Sequence, residues 1–124
     1  MSNKIIKINR GDTFEFDVAI LDKADRAKSY LLTKSDAVYF ALMYPHQRFE
    51  DAIFIKGYTS EEQDKATGDI TIKITSNDTR CLCPGIYYYT VKLQRGGTLD
   101  IIDDFDEPEE VRTIIERTKF IINE

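Results

Sequence analysis

Apolar and polar side chains alternate with a period of two along most of this 124-residue chain, and this pattern constrains the fold more than any other feature. In GDITIKIT, residues 68–75, three isoleucines occupy every second position. TFEFDVAIL, residues 13–21, repeats the pattern with Phe14, Phe16, Val18 and Ile20. Because successive side chains of a β-strand point to opposite faces, each segment predicts a strand that is buried on one face.

Seven apolar segments with strand character follow one another, separated by stretches rich in turn residues. They are residues 4–9, 13–21, 36–43, 52–58, 68–75, 87–93 and 112–122. Short strands at such spacing are typical of sandwiches. The sequence therefore predicts an all-β fold, an immunoglobulin-like antiparallel β-sandwich of about seven strands, formed by residues 1–124 as a single domain. If residues 4–9 form an edge strand, they can pair with a neighbouring subunit.

The segment CLCPGIYYYTVKL, residues 81–93, predicts the start of a strand rather than a metal site. Tyr87 and Tyr89 share one face and are predicted to enter the core, with Tyr88 outside. Either core tyrosine can form a tyrosine corner, in which the phenol bonds the preceding loop. Cys81 and Cys83 are interpreted as small apolar fillers, because zinc needs about four ligands. The preceding Asn77 and Asp78 predict a short capped helical turn.

Composition limits the class of protein. The hydrophobic fraction is 42% and the charged fraction 31%, as in ordinary globular domains. No apolar run is long enough to cross a membrane, and no signal peptide is recognisable, which predicts a protein made and kept in a cytoplasm. The net charge of −5 leaves no basic footprint, so neither nucleic acid nor a membrane is an expected partner.

No pattern of catalytic residues is apparent. Nucleophilic catalysis needs a Ser, Cys or Thr beside a base, and the sole histidine, His46, follows a Tyr-Pro turn signal. Phosphate-binding loops, nucleophile elbows and zinc-protease motifs do not occur. The prediction is a non-enzymatic protein with no catalytic residue, no cofactor and no metal site.

An acidic segment, residues 100–110 with the sequence DIIDDFDEPEE, holds seven of the 22 acidic residues. It is predicted to be a hairpin loop between the last two strands. Its carboxylates are compatible with a solvated loop tip that has no binding role, with a calcium site, or with docking onto a basic partner surface through an aromatic anchor among the charges. The predicted partner-contact residues are Asp103, Asp104, Phe105, Asp106 and Glu107.

The set of turn and strand signals resembles the small β-sandwich domains of tailed phages and prophages, in particular the N-terminal domain of baseplate upper proteins. The matching positions are Arg10-Gly11-Asp12-Thr13, residues 68–74, Asp78-Thr79, Pro84-Gly85, residues 87–93 and residues 113–122. The resemblance implies a virion structural or adaptor protein of the baseplate, tail, neck or head, whose partners are other virion proteins or further copies of itself.

A carbohydrate- or host-surface-binding module is the alternative function. Sandwich folds host many such sites, although a fold alone does not define a function. Sugar sites usually present exposed aromatic rings, and the candidates here are Tyr39, Phe49, Tyr58 and Tyr88.

Overall fold

The chain folds into a sandwich of two unequal β-sheets. The computed structural model describes residues 5–21, 28–33, 36–95 and 110–124. The strands are β1 (Ile6–Asn9), β2 (Phe14–Ala19), β3 (Ala37–Met43), β4 (Phe54–Tyr58), β5 (Asp69–Ile74), β6 (Gly85–Arg95) and β7 (Glu110–Asn123). A 3₁₀ turn at Phe49–Asp51 and a single helical turn, α1 (Ser76–Thr79), complete the described elements. The prediction of an all-β sandwich with seven strands is confirmed.

The larger sheet has the strand order β1-β7-β6-β3-β4, and β2 pairs with β5 in the smaller one. This places the second and fifth strands opposite the third, sixth and seventh, as in immunoglobulin-like sandwiches. All neighbours are antiparallel except β1 and β7, which run parallel with Ile6 opposite Phe120. The predicted antiparallel sandwich did not include this one parallel pair of strands. β1 and β2 flank a turn at Gly11, whose φ of 85° suits glycine, and they lie in different sheets.

The core lies between the two sheets and follows the predicted alternation. Ile70, Ile72 and Ile74 of β5 are fully buried, and so is Phe40 of β3. The Phe40 ring contacts the rings of three other core aromatics. These are Phe16 at 6.1 Å, Phe54 at 6.2 Å and Tyr89 at 5.7 Å between centroids. Offset and edge contacts of this kind add to the free energy of apolar burial.

β3 is buried on both faces, whereas the alternation predicted one. Phe49 from the 3₁₀ turn packs over the outer face of this strand and forms a second apolar cluster with Ala37, Tyr39 and Ala41. The interpretation of Tyr39 and Phe49 as exposed sugar-binding aromatics is therefore wrong. The segment that follows β3 folds back over the outer face of this strand. The periodicity of β3 alone does not predict such a cover.

The start of β6 is anchored by a tyrosine corner. The Tyr87 hydroxyl donates a hydrogen bond to the carbonyl of Cys83 at 2.5 Å, which confirms this motif for Tyr87. Burial raises the pKa of this phenol, so it remains a donor. Cys81 and Cys83 are exposed, so the interpretation of both as apolar fillers is wrong. Leu82 between them packs against the core and leaves both thiols outside.

The predicted helical turn forms with a capping box. The backbone N–H of Thr75 donates to the Asp78 carboxylate at 2.6 Å, and the Thr75 side chain accepts in return. Lys56 of β4 reaches the same carboxylate at 2.6 Å, which ties α1 to the edge of the larger sheet. Burial alone would raise the pKa of Asp78, but the bonds from Lys56 and Thr75 outweigh it and lower the pKa below its usual value.

Replacement of Asp78 by asparagine is expected to lower the free energy of unfolding at pH 7 by about 1–2 kcal/mol. A depressed native pKa gives stability that is present above the unfolded value of about 3.9 and is lost as pH falls through the native pKa. The difference between the two proteins should thus shrink in acid. Urea denaturation at pH 7 and about pH 3 measures it. Asp51→Asn, which removes an exposed pair with Arg48, is the control and should change little. An equal difference at both pH values would contradict the prediction.

Candidate interaction surface

One end of the outer face of the larger sheet presents apolar side chains beside an open strand edge. Ile86 of β6 lies opposite Ile121 of β7, which in turn lies opposite Lys7 of β1. One step along the sheet, Lys119 lies opposite Tyr88, and Ile5 immediately precedes β1. We call the set Ile5, Lys7, Ile86, Lys119 and Ile121 the β1 face.

The β1 face combines exposed apolar side chains with two lysines. Ile5 is 51% exposed and Ile86 is 50% exposed, while Ile121 is half-buried. Single exposed apolar residues need no explanation, but neighbouring ones across adjacent strands mark interaction sites. Ile6 and Ile8 of β1 point the other way and are buried in the core. The strand is therefore fixed in register while its outer side chains stay available.

β1 is the first strand of its sheet and pairs on one side with β7. Within the described residues, its other edge has no partner strand. Unpaired N–H and C=O groups at such an edge are a template for another strand. The condition for pairing with a neighbouring subunit, that the first strand lie at an edge, is therefore met within the described residues. Lys7 lies within β1. Lysines on edge strands limit unselective pairing, because an incoming strand must accommodate the lysine charge.

The outer faces of the two sheets carry opposite charge although the chain is acidic overall, with a net charge of −5. The larger sheet presents four cations and one carboxylate, a net of +3: Lys7, Lys92, Arg117, Lys119 and Glu116. The smaller sheet presents three carboxylates and one cation, a net of −2: Glu15, Asp17, Asp69 and Lys73. Such asymmetry orients partners during encounter and disfavours those of like sign.

The register between β6 and β7 shifts twice in the middle of the outer face, and the first shift is a bulge in β7. Tyr89 pairs with Thr118 and Val91 with Ile115, so two β7 residues, Glu116 and Arg117, lie opposite Thr90 alone. The Thr90 hydroxyl donates a hydrogen bond to the Ile115 carbonyl at 2.6 Å, which gives this carbonyl a partner where the strand pairing is interrupted. Bulges of this kind redirect side chains without ending a strand.

The bulge turns Arg117 onto the loop that follows β3. Its guanidinium donates to the carbonyls of Tyr44 at 2.9 Å, Pro45 at 2.7 Å and Gln47 at 2.7 Å. The same group lies 5.2 Å above the ring of Tyr88. Arg117 is thus a positioning residue that holds the loop. Sequence reasoning missed it, although the break in alternation between Ile115 and Phe120 was a signal.

A shallow depression of about 250 Å³ lies beside the bulge. Its floor and walls are formed by Met43, Phe49, Thr90, Lys92, Thr113, Glu116 and Arg117. Lys92 lies over the Phe49 ring at 4.7 Å, and Arg117 is bonded to the loop, so both cations have partners. His46 is exposed and stacks on Tyr44 at 6.2 Å. In the described part of the chain, no three His, Cys, Asp or Glu side chains gather to hold a metal ion.

The predicted partner-contact residues Asp103, Asp104, Phe105, Asp106 and Glu107 lie outside the described residues, as does the predicted acidic hairpin loop. The remaining aromatic candidates are half-buried. Tyr58 accepts a hydrogen bond from the Lys73 backbone N–H at 3.3 Å, and Tyr88 lies under Arg117. The four predicted aromatics therefore form no open stacking surface.

Comparison with known proteins did not assign this chain to a family. A scan against protein-family models found no match, and a search of curated proteins found none either. Among the described residues, there is no helix with the length and apolarity that a membrane span requires.

Proposed function

We propose that this domain is a non-enzymatic assembly module that joins protein subunits through the edge of β1 and the adjoining β1 face. The observation that carries the proposal is the open edge of β1, with the exposed Ile5 beside it and the exposed Ile86 two strands away on the same outer face. A strand added at this edge gains backbone hydrogen bonds and contacts Ile5, while the part of the partner that covers the β1 face buries apolar area against Ile86 and Ile121. Edge pairing thus supplies affinity, while the lysines of the face restrict which strands fit.

The setting that we propose is the virion of a tailed phage or prophage, in which the chain serves as a structural or adaptor protein of the baseplate, tail, neck or head. Its support is the resemblance carried by the Arg10-Gly11-Asp12-Thr13 turn and the Pro84-Gly85 strand start. In this setting the partners are other virion proteins, and the chain is made in the bacterial cytoplasm before incorporation.

Ile86→Asp should abolish incorporation of this protein into phage particles while leaving the fold intact, because a charge on the β1 face opposes desolvation by a partner. The measurement is quantitative mass spectrometry of purified particles from a host that expresses the variant, together with the circular dichroism and urea midpoint of the isolated protein. Wild-type protein should occur at a fixed ratio to the major structural proteins.

Leu31→Asp is the matched control, since Leu31 is 51% exposed and lies outside the β1 face. Its incorporation should equal that of the wild type. Equal incorporation of Ile86→Asp would remove the β1 face as the assembly surface. Absence of the wild-type chain from particles would remove the virion setting. Deletion of residues 1–9 is a poorer test, because it also removes Ile6 and Ile8 from the core.

A further inference from the structure

We infer that the β1 face binds the acidic segment of a second copy of this chain, so that copies associate head to tail. The inference rests on the proposed function and names the partner for that same surface. The occupant is the stretch DIIDDFDEPEE of a neighbouring molecule.

The two surfaces are complementary in charge and in apolar character. The β1 face combines three isoleucines with two lysines, and the acidic segment combines Ile101, Ile102 and Phe105 with seven carboxylates. An extended segment of this composition can present apolar side chains to the isoleucines while its carboxylates meet the lysines. The outer face of the smaller sheet, with its net of −2, would repel the same segment.

The lysines of the β1 face are free to serve a partner. Within the described residues, Lys7 and Lys119 form no ion pair and no side-chain hydrogen bond, and both are exposed. Other lysines differ: Lys56 bonds Asp78, and Lys73 lies 3.7 Å from Glu15. A carboxylate placed between Lys7 and Lys119 would meet two cations on adjacent strands.

Chain length directs the segment to another molecule. The connection between β6 and β7 leaves Arg95 and returns at Glu110, which pairs with it across the sheet. The 14 residues between them must leave the sheet and return to it. The middle of such a connection therefore lies at most about 26 Å from Arg95, which is half of the extended length of the connection. The centre of the β1 face, at Ile86 and Ile121, lies about 30 Å from Arg95 along β6. The segment therefore falls short of the centre of the β1 face on its own molecule, at Ile86 and Ile121.

Two different surfaces in one contact make the association heterologous. The connection that carries the acidic segment joins Arg95 of β6 to Glu110 of β7, and the β1 face lies at the Gly85 end, so copies added in a row each retain one free surface of each kind. Such contacts give open chains, or rings where the rotation between copies closes. Where the segment of each copy binds the face of the other, the same contact closes a two-fold dimer instead.

Charge reversal on each surface provides the test. The full chain is examined by sedimentation velocity over a concentration series at low and high NaCl. Lys7→Glu/Lys119→Glu should weaken association by at least about 30-fold, and Asp103→Lys/Asp104→Lys should weaken it to a similar extent. An equimolar mixture of these two double variants should associate again, since opposite charges then face each other. Higher salt should weaken the wild-type complex.

Lys28→Glu/Lys65→Glu is the charge-matched control, because both lysines are exposed and lie outside the β1 face. It should associate within about 3-fold of the wild type. Wild-type protein that remains monomeric up to about 1 mM would overturn the inference, and so would a variant mixture that fails to associate. If Ile86→Asp still blocks particle incorporation in that case, the face binds another protein and the proposed function stands. Self-association together with normal incorporation of Ile86→Asp would instead remove the proposed function.

Discussion

Replacement of Phe40 by alanine is expected to lower the free energy of unfolding by about 3–5 kcal/mol. Phe40 is fully buried in the central strand pairing of the larger sheet. It also bridges the two sheets through its contact with Phe16 of β2. Removal of the ring leaves a cavity that rigid strands on both sides cannot close, so lost dispersion contacts add to the lost transfer free energy.

Phe14→Ala is the matched control for this truncation, because the chemistry is identical and Phe14 is only half-buried at the start of β2. It should cost less than about 2 kcal/mol. Urea denaturation followed by circular dichroism gives both values, provided that the m-values of the variants agree with that of the wild type. Similar losses for the two variants would mean that the small sheet, and not the Phe40 cluster, limits stability.

Gln63→Ala is expected to cost about 3 kcal/mol, a large value for a polar residue in a turn. The Gln63 side chain is buried and accepts a hydrogen bond from the Leu32 backbone N–H at 2.8 Å. It donates to the carbonyls of Tyr30 and Gly68, each at 2.8 Å. It thereby links segment 28–33 to the turn before β5. Alanine would leave one donor and two acceptors without partners in a region with little access to water.

Gln47→Ala is the control, since the Gln47 side chain accepts one bond from the Tyr44 backbone N–H at an exposed site. Its cost should stay below about 1 kcal/mol. Gln63→Glu adds a sharper comparison, because a carboxylate can accept from Leu32 and cannot donate to the two carbonyls. Amide hydrogen exchange at Leu32 should accelerate in Gln63→Ala and change less in Gln63→Glu, which keeps an acceptor for this N–H. Unchanged exchange would show that water replaces the side chain without loss.

The sequence predicted the strands and most of the core, because period-two alternation follows directly from strand geometry. Ile70, Ile72 and Ile74 show this most clearly, since each is fully buried as expected. The second buried face of β3 was not predictable from that strand. Its cover, Phe49, comes from a different segment, and only the tertiary path of the chain brings it there.

The candidate site was harder to predict than the core. The alternation predicted a first strand, which the structure places at Ile6–Asn9, but its parallel pairing with β7 depends on which sheet β1 joins, and local pattern does not encode that choice. The bulge at Glu116 and Arg117 likewise results from the register between β6 and β7. The exposure of an apolar residue such as Ile86 cannot be predicted from its strand alone, because it depends on which face of the sheet is left uncovered in the fold.

The parallel pairing of β1 with β7 also determines how the domain would carry tension. Ile6 lies beside Phe120 and Asn9 beside Asn123, so the first and last strands run side by side in the same direction. A pull applied at Ile5 and Asn123 would draw β1 and β7 past each other along their length. Because the interstrand hydrogen bonds lie across that direction, the load is shared among them in shear and does not open them one at a time as in a zipper. A module placed between two moving parts of a particle would thus resist extension through its terminal strands.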